Sequence, residues 1–262
     1  MSEKKKILYL IPLASDRWNK ARKEFLERYL SPGYELEVRN VAYGGETSLE
    51  TLYYTAVTVP YILEEIMKAE RDGFDAVIVD CFSDPGVHEG RELVNIPVVG
   101  PWEASIYVAC MLGFRIAIIT VGATYRTKKH GIFLSMDRLR IQKYGLSNRI
   151  VSIRTTGQSV QDCEDKKQTL DLLYKESVKA IEEDGAEVIV LGCTAMAGLA
   201  EELQKRLDVP VVDPTLAALK VTEMLLSLNL KHSRLAYPSI LDVKADKVKV
   251  KYPPTLKGYS PK

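Results

Sequence analysis

Two cysteines stand where a thiol could move a proton. Cys81 ends the run RDGFDAVIVDC (71–81) and Cys193 ends EDGAEVIVLGC (183–193), so one pattern recurs at an offset of 112 residues, 81 to 193. A second echo follows in the same order: IPVVG (96–100) answers VPVVD (209–213) at an offset of 113, 96 to 209. Such repetition marks two equivalent half-chains. Each cysteine closes a buried-looking strand and stands just ahead of a helical pattern. Ligands collect at that end of parallel strands. A helix N-terminus there, with free N–H groups and partial positive charge, favours thiolate over thiol. Two thiols facing one ligand could take a proton from one face of a stereogenic carbon and return a proton to the other. They should then lie roughly 6 to 9 Å apart, each within reach of the same carbon. A carbon beside a carbonyl is a poor acid, so N–H groups and hydroxyls must meet the developing enolate. Ser83 and Thr194 are placed to help.

The bland alternative is that a strand-end cysteine is a small apolar packing group. The matched positions argue against it for this pair. The other two cysteines act as internal controls: Cys110 in IYVACML reads as packing, and Cys163 in QSVQDCED reads as an exposed or semi-exposed loop thiol with no partner motif. His88, seven residues beyond Cys81, reads as a lobe-surface residue. Three histidines and no CxxC leave no structural zinc pattern, so neither a metal nor a cofactor is expected.

Elements that position the cysteines can be read in order. ILYLIPL (7–13) is a strand covered on both faces, with Ser15 or Asp16 capping the helix after it. YELEVRNVAY (34–43) alternates as a strand, Gly44-Gly45 makes a loop, and a helical pattern from Leu49 to Arg71 carries a kink or break near Thr58 and Pro60. FDAVIVD, PVVG and a helix from about Glu103 to Leu112 close the first half. The second half repeats the cycle: FRIAIIT (114–120), a tight turn at 121–124, a helix to Tyr144, RIVSIRTTG (149–157), a helix 165–183, EVIVLG, helices 195–206 and 214–228 around PVV. Strands alternating with helices mean parallel sheets with right-handed crossovers. The predicted fold is α/β, two pseudosymmetric lobes, each a parallel four-stranded sheet flanked by helices, with the site in the interlobe cleft. The first lobe takes 1–112 and the second 113–209. Residues 210–230 form a last helix packing back on the first lobe, and 231–262 form a C-terminal extension without a third copy of the cycle.

A chain of 262 residues that is 46 % hydrophobic and 27 % charged is globular, and a net charge of +1 gives no reason to expect nucleic acid. No stretch approaches a membrane span, so no membrane partner and a cytoplasmic location are the default. Four cysteines without a disulfide framework fit free thiols in a reducing compartment. Neither GxGxxG nor a P-loop is present.

In these residues the chain resembles the aspartate/glutamate racemase superfamily, and within it the hydantoin and allantoin racemases. The marks are Cys81-Phe82-Ser83-Asp84-Pro85-Gly86, Pro97-Val98-Val99-Gly100 followed by Glu103-Ala104, Leu191-Gly192-Cys193-Thr194-Ala195-Met196-Ala197-Gly198, and Val212-Asp213-Pro214. The loop from Gly44 to Glu50 resembles the family's loop over the cleft. The resemblance spans roughly residues 6 to 228. It implies a cofactor-independent racemase with Cys81 and Cys193 as the two bases, acting on hydantoins or related cyclic ureides. It places Ser15, Ser48, Phe82, Ser83, Glu103, Gly122, Tyr125, Gly192 and Thr194 around a small-molecule substrate, with helix capping the alternative for Glu103 and Tyr125. Asp213 is expected to cap a helix. With the unexplained tail, the resemblance also implies a homo-oligomer built from dimers.

Two departures affect substrate choice. Ile11-Pro12-Leu13-Ala14-Ser15 keeps the proline of the family's Asn-Pro-Asn-Thr but neither asparagine, and Ser83 replaces a more usual glycine. Ala195 stands where a glutamate racemase commonly has histidine, which favours a neutral or ring-closed amide over an acidic zwitterion. Decarboxylation, which generally needs one of the two cysteines, cis–trans isomerisation of a small diacid, and simple metabolite binding are the competing readings.

Overall fold

The computed structural model describes residues 4–122 and 132–239. Two four-stranded parallel sheets are built alike. In the first the order is β2-β1-β3-β4, with β1 Lys5–Ile11, β2 Tyr34–Asn40, β3 Ala76–Val79 and β4 Val98–Val99. In the second it is β6-β5-β7-β8, with β5 Ile116–Thr120, β6 Ile150–Thr155, β7 Val188–Leu191 and β8 Val211–Val212. The cysteine strands occupy equivalent places: Leu10 pairs with Val79 as Ile119 pairs with Leu191. Both AVIV and VIVL are buried on both faces, which is why they read as unbroken apolar runs and not as alternating ones.

Helices α1 (Asn19–Glu27), α2 (Leu52–Arg71), α3 (Val87–Leu93) and α4 (Pro101–Leu112) belong to the first half. The second half supplies α5 (Ile132–Lys143), α6 (Lys166–Asp184), α7 (Ala200–Lys205) and α8 (Pro214–Ser227). The two closing helices cross over. Helix α4 packs on α8 and also on β7 and β8, while α8 packs on β3 and β4. One central core results, in which Ile7, Tyr9 and Ile78 of the first sheet meet Ile116, Ile118 and Val190 of the second around Trp102 and Ile106. Separate apolar clusters cover the outer face of each sheet.

Several local expectations need correction. Helix α1 starts at Asn19 after Trp18, which makes no side-chain cap; Ser15 instead accepts only a long bond from the Arg17 N–H at 3.4 Å. Helix α2 runs through Pro60 without a break, held by Ile62, Ile66 and Ala69 on the first sheet's outer face. Helix α4 starts at Pro101, not Glu103, because proline suits the first helical turn. The expected helix 195–206 is a one-turn 3-10 helix (Thr194–Met196) and the short α7, divided at Gly198 with φ 85°. Residues 231–239 lie along the first lobe's own edge: His232 meets the Val98 backbone, and Arg234 donates to the carbonyls of Arg91 and Val94. That part of the tail packs within its own chain. Residues 240–262 lie outside the described residues.

Candidate active site

Each cysteine is presented by a tight turn that its own half staples in place. After β3 the chain turns at once: the Asp84 N–H donates to the Cys81 carbonyl at 2.9 Å, and Asp84 sits in the left-handed region with φ 49°. This strained turn aims the Asp84 carboxylate under α4, where the N–H groups of Trp102 and Glu103 each donate to it at 2.9 Å. Gly100 lies against that carboxyl, and a Cβ there would overlap it. The second half makes the same staple with the carboxylate on the other member. Asp213 caps α8 through the Thr215 N–H at 2.9 Å and also accepts from the Gly198 N–H at 2.7 Å, in the turn after Cys193. Asp213 is therefore the helix cap expected of it.

Both cysteines line one cavity of about 800 Å³ between the lobes. Phe82 and Ser83 from the first turn and Gly192 and Thr194 from the second line it too, with Ser48 of the glycine loop. That loop is tied to the end of β1, where the Ala14 N–H donates to the Gly45 carbonyl at 2.9 Å. It is also tied to the other lobe, where the Val160 N–H donates to Glu50 at 3.0 Å. Arg17 pairs with Glu164 at 2.7 Å, beside a bond from the Trp18 indole to the same carboxylate. These contacts bridge the lobes around the cavity.

Three expected ligand residues lie elsewhere. Ser15 is absent from the cavity wall, which Pro12 and Leu13 line in its place. Glu103 points away from the cleft and pairs with the buried Arg91, because the other side of its helix faces the core. Gly122, next to Val121 of the wall, packs tightly against Thr155 and donates its N–H to the Gln158 carbonyl at 2.8 Å. Tyr125 and its neighbour Arg126 lie outside the described residues.

Electrostatics overturn one expectation about the thiols. Neither cysteine sits at the start of a full helix: α3 begins only at Val87, and a single 3-10 turn follows Cys193. Burial wins over the dipole, and it pushes both thiols up, Cys193 more strongly. The Ser83 hydroxyl, 3.1 Å from the Cys81 sulfur, and the Ala195 N–H at Cys193 pull the other way. Each sulfur is thus held as a thiol near neutrality, with a donor ready for the thiolate.

Sequence reading missed four neighbours. Cys163, expected to be at least half exposed, is 1 % exposed and lines the cavity, because the 3-10 turn Gln161–Glu164 folds it inward beneath Val160. Burial raises it to about 11, and its Sγ lies 3.6 Å from the Ser159 carbonyl. Lys166 lines the cavity and donates to the Ala195 carbonyl at 2.7 Å; burial lowers its pKa. Asp80 and Arg22 form a nearly buried ion pair at 3.1 Å directly behind Cys81. Asp80 had left a signal, a charge ending an otherwise apolar strand. Cys163 left none. Cys110 packs against the central core, away from the cavity, and His88 lies outside it too, bonded to the hydroxyls of Tyr144 and Tyr237.

Two like sheets sharing a cleft, with a cysteine turn from each, define a class, and the chain's relatives fall in it. Residues 7–222 match the Asp/Glu/Hydantoin racemase family, and the chain belongs to it, as a racemase. It is 38 % identical over 192 residues to a hydantoin racemase of Pseudomonas sp. (strain NS671), covering 73 % of this chain and 74 % of that one. A hydantoin racemase of Paenarthrobacter aurescens is 31 % identical over 231 residues, 87 % of this chain and 94 % of its own. Among solved structures, an allantoin racemase from Klebsiella pneumoniae superposes with a TM-score of 0.84 at 28 % identity, covering 98 % of this chain and 99 % of that one. Among the described residues no helix is long and apolar enough to cross a membrane.

Proposed function

We propose that this racemase inverts the C5 stereocentre of 5-substituted hydantoins or related cyclic ureides by proton transfer between Cys81 and Cys193. The observation that carries the reading is that both strand-end cysteines, one from each lobe, line the same cavity. One cysteine, as thiolate, takes the C5 proton, and the electron pair moves onto the adjacent carbonyl oxygen as an enolate. The other, as thiol, gives its proton to the opposite face. The thiolate then stands on the other side, and exchange with solvent resets the pair. Ser83 and Thr194 are the hydroxyls that line the cavity beside the two sulfurs and can receive the developing oxyanion.

Allantoin is the second substrate to weigh, because of the structural likeness to an allantoin racemase. The cavity wall supports the hydantoin side: Leu13, Trp18, Ala21, Phe25 and Leu199 make an apolar flank suited to an apolar C5 substituent, not to a ureido group. The test is inversion in heavy water, followed by circular dichroism and mass spectrometry, with 5-benzylhydantoin and allantoin in parallel. Inversion of the benzyl compound with one deuterium gained at C5 supports the reading. Inversion of allantoin alone moves the substrate, and absence of exchange with either ligand rejects it.

We further propose a homo-oligomer built from dimers. Met111 and Phe114 near the end of α4 are 78 % and 75 % exposed, large apolar side chains left for a second copy to cover. Light scattering that returns a monomer mass rejects this.

A further inference from the structure

The Arg22–Asp80 pair sits deeper than a surface bridge and costs more to build. Asp80 is 6 % exposed and directly follows β3, whose residues are all apolar. A carboxylate buried there is costly unless it is paired. Its partner is unusual in what else it holds. Arg22 comes from α1, and its Nε lies 3.1 Å from Asp80 Oδ2. Its Nη2 donates to the Thr194 carbonyl at 2.8 Å, and its Nη1 to the Thr215 hydroxyl at 3.4 Å. Asp80 immediately precedes Cys81, Thr194 immediately follows Cys193, and Thr215 opens α8. One planar group is therefore bonded to the turn of one thiol and paired with the strand end of the other, across the lobe boundary. A guanidinium is suited to this because its donors are fixed in one plane; an ammonium is a compact point charge and cannot span the same partners.

We propose that Arg22 is a positioning residue that couples the two cysteine turns, bridging Asp80 and the Thr194 carbonyl so that both sulfurs are held on opposite faces of one carbon. The inference rests on the two-thiol reading of the site, but its test has an arm that needs no substrate. Inversion needs both sulfurs in register, whereas exchange of the C5 proton with retention needs only one. Loss of the brace should damage the first more than the second. Misplacement of a reacting group by about 1 Å can cost about 10²-fold.

The variants are Arg22→Lys, which keeps the charge, and the double change Arg22→Met with Asp80→Asn, which removes the pair together and avoids an orphaned buried carboxylate. In heavy water, inversion and retained exchange are measured separately for each enantiomer of 5-benzylhydantoin. Arg22→Lys should lower kcat for inversion by about 10²-fold with KM held within about threefold, and raise the ratio of exchange to inversion at least about tenfold. In the substrate-free arm, iodoacetamide labelling is mapped by mass spectrometry. Cys81 and Cys193 should both label at least about threefold faster in the variants as the released turns open, while Cys110 keeps its wild-type rate. An unchanged ratio together with unchanged labelling overturns the proposal. If the wild type leaves hydantoins untouched, the substrate reading fails and labelling alone decides the brace. Loss of cooperative melting in both variants would also overturn it, by making Arg22 a fold-stabilising residue only.

Discussion

At the scale of single residues, the proposed chemistry turns on what burial does to the cysteines of the cavity. Replacing Cys81 or Cys193 by serine leaves a hydroxyl near the substrate that is far too weak a base, so each change should lower inversion by at least about 10²-fold. Cys163 shares the cavity and its thiol is likewise raised by burial, but it closes neither of the two matched strands and has no role in the proposed transfer, so C163S should keep activity within about threefold of wild type. Equal losses for all three variants would make the pair nothing special. The pH dependence follows from the same burial. Both proposed bases are raised, so the single thiolate that the proposed transfer requires is scarce at neutral pH and grows about tenfold per pH unit below the pair's first ionisation. Inversion at saturating substrate should climb from pH 7 through pH 9 and fall only at higher pH, above both raised ionisations, where no acid remains. A profile flat across that range would mean that neither cysteine is the base. The two cysteines proposed as bases were legible in the sequence because the repeat marked them. Cys163 was not, since a polar loop gives no sign of which side chain folds inward.

At the scale of elements, the repeated strand and turn were readable because each short, β-branched apolar run is bounded by turn residues and occurs twice. The element boundaries next to the site were less so. Helix starts were read from residues such as Ser15, yet the bonds that anchor the cysteine turns come from Asp84 and Asp213, one of which caps a helix far along the chain. Such long-range caps leave no local spacing. Glu103 lies off the cavity wall for a related reason: a position in a motif fixes the element, and the packing of that element fixes which way the side chain points. The Asp84 staple makes its own prediction. A methyl group at position 100 would overlap the Asp84 carboxyl, so Gly100→Ala must displace either α4 or the Cys81 turn. Overpacking of this kind costs about 1–3 kcal/mol. Thermal unfolding should show a lowered Tm, and inversion should fall with it, because the displaced turn carries Cys81. Asp84→Asn in the same background relieves no overlap and should not restore activity. A Gly100→Ala protein with wild-type Tm and rate would show that the staple bears no weight.

At the scale of the whole molecule, the repeat suggests two lobes that could stand alone, and the packing says otherwise. The helix that closes the first half lies on the second sheet, and the helix that closes the second half lies on the first. Trp102, Ile106 and Ala109 of α4 are fully buried against strands of both halves, as are Ala218 and Leu219 of α8. A fragment of residues 1–112 would lose α8 from β3 and β4 and leave α4 without β7 and β8. Burying a large apolar side chain is worth about 1.5–3 kcal/mol, and the fragment forfeits several, against a net stability of only about 5–15 kcal/mol for a typical domain. Fragments 1–112 and 113–262 should therefore each lack a cooperative thermal transition and near-ultraviolet circular dichroism. Mixed during refolding, they should recover both signals and inversion activity, since each supplies one cysteine and the helix that the other lacks. A cooperative melt from 1–112 alone would show that α8 is dispensable to the first sheet. The cleft would then be a junction of two independent domains, and its width could change freely in solution. Recovery only on mixing means that the sulfur separation is built into a single core, so the cavity cannot open without disturbing the packing of Trp102.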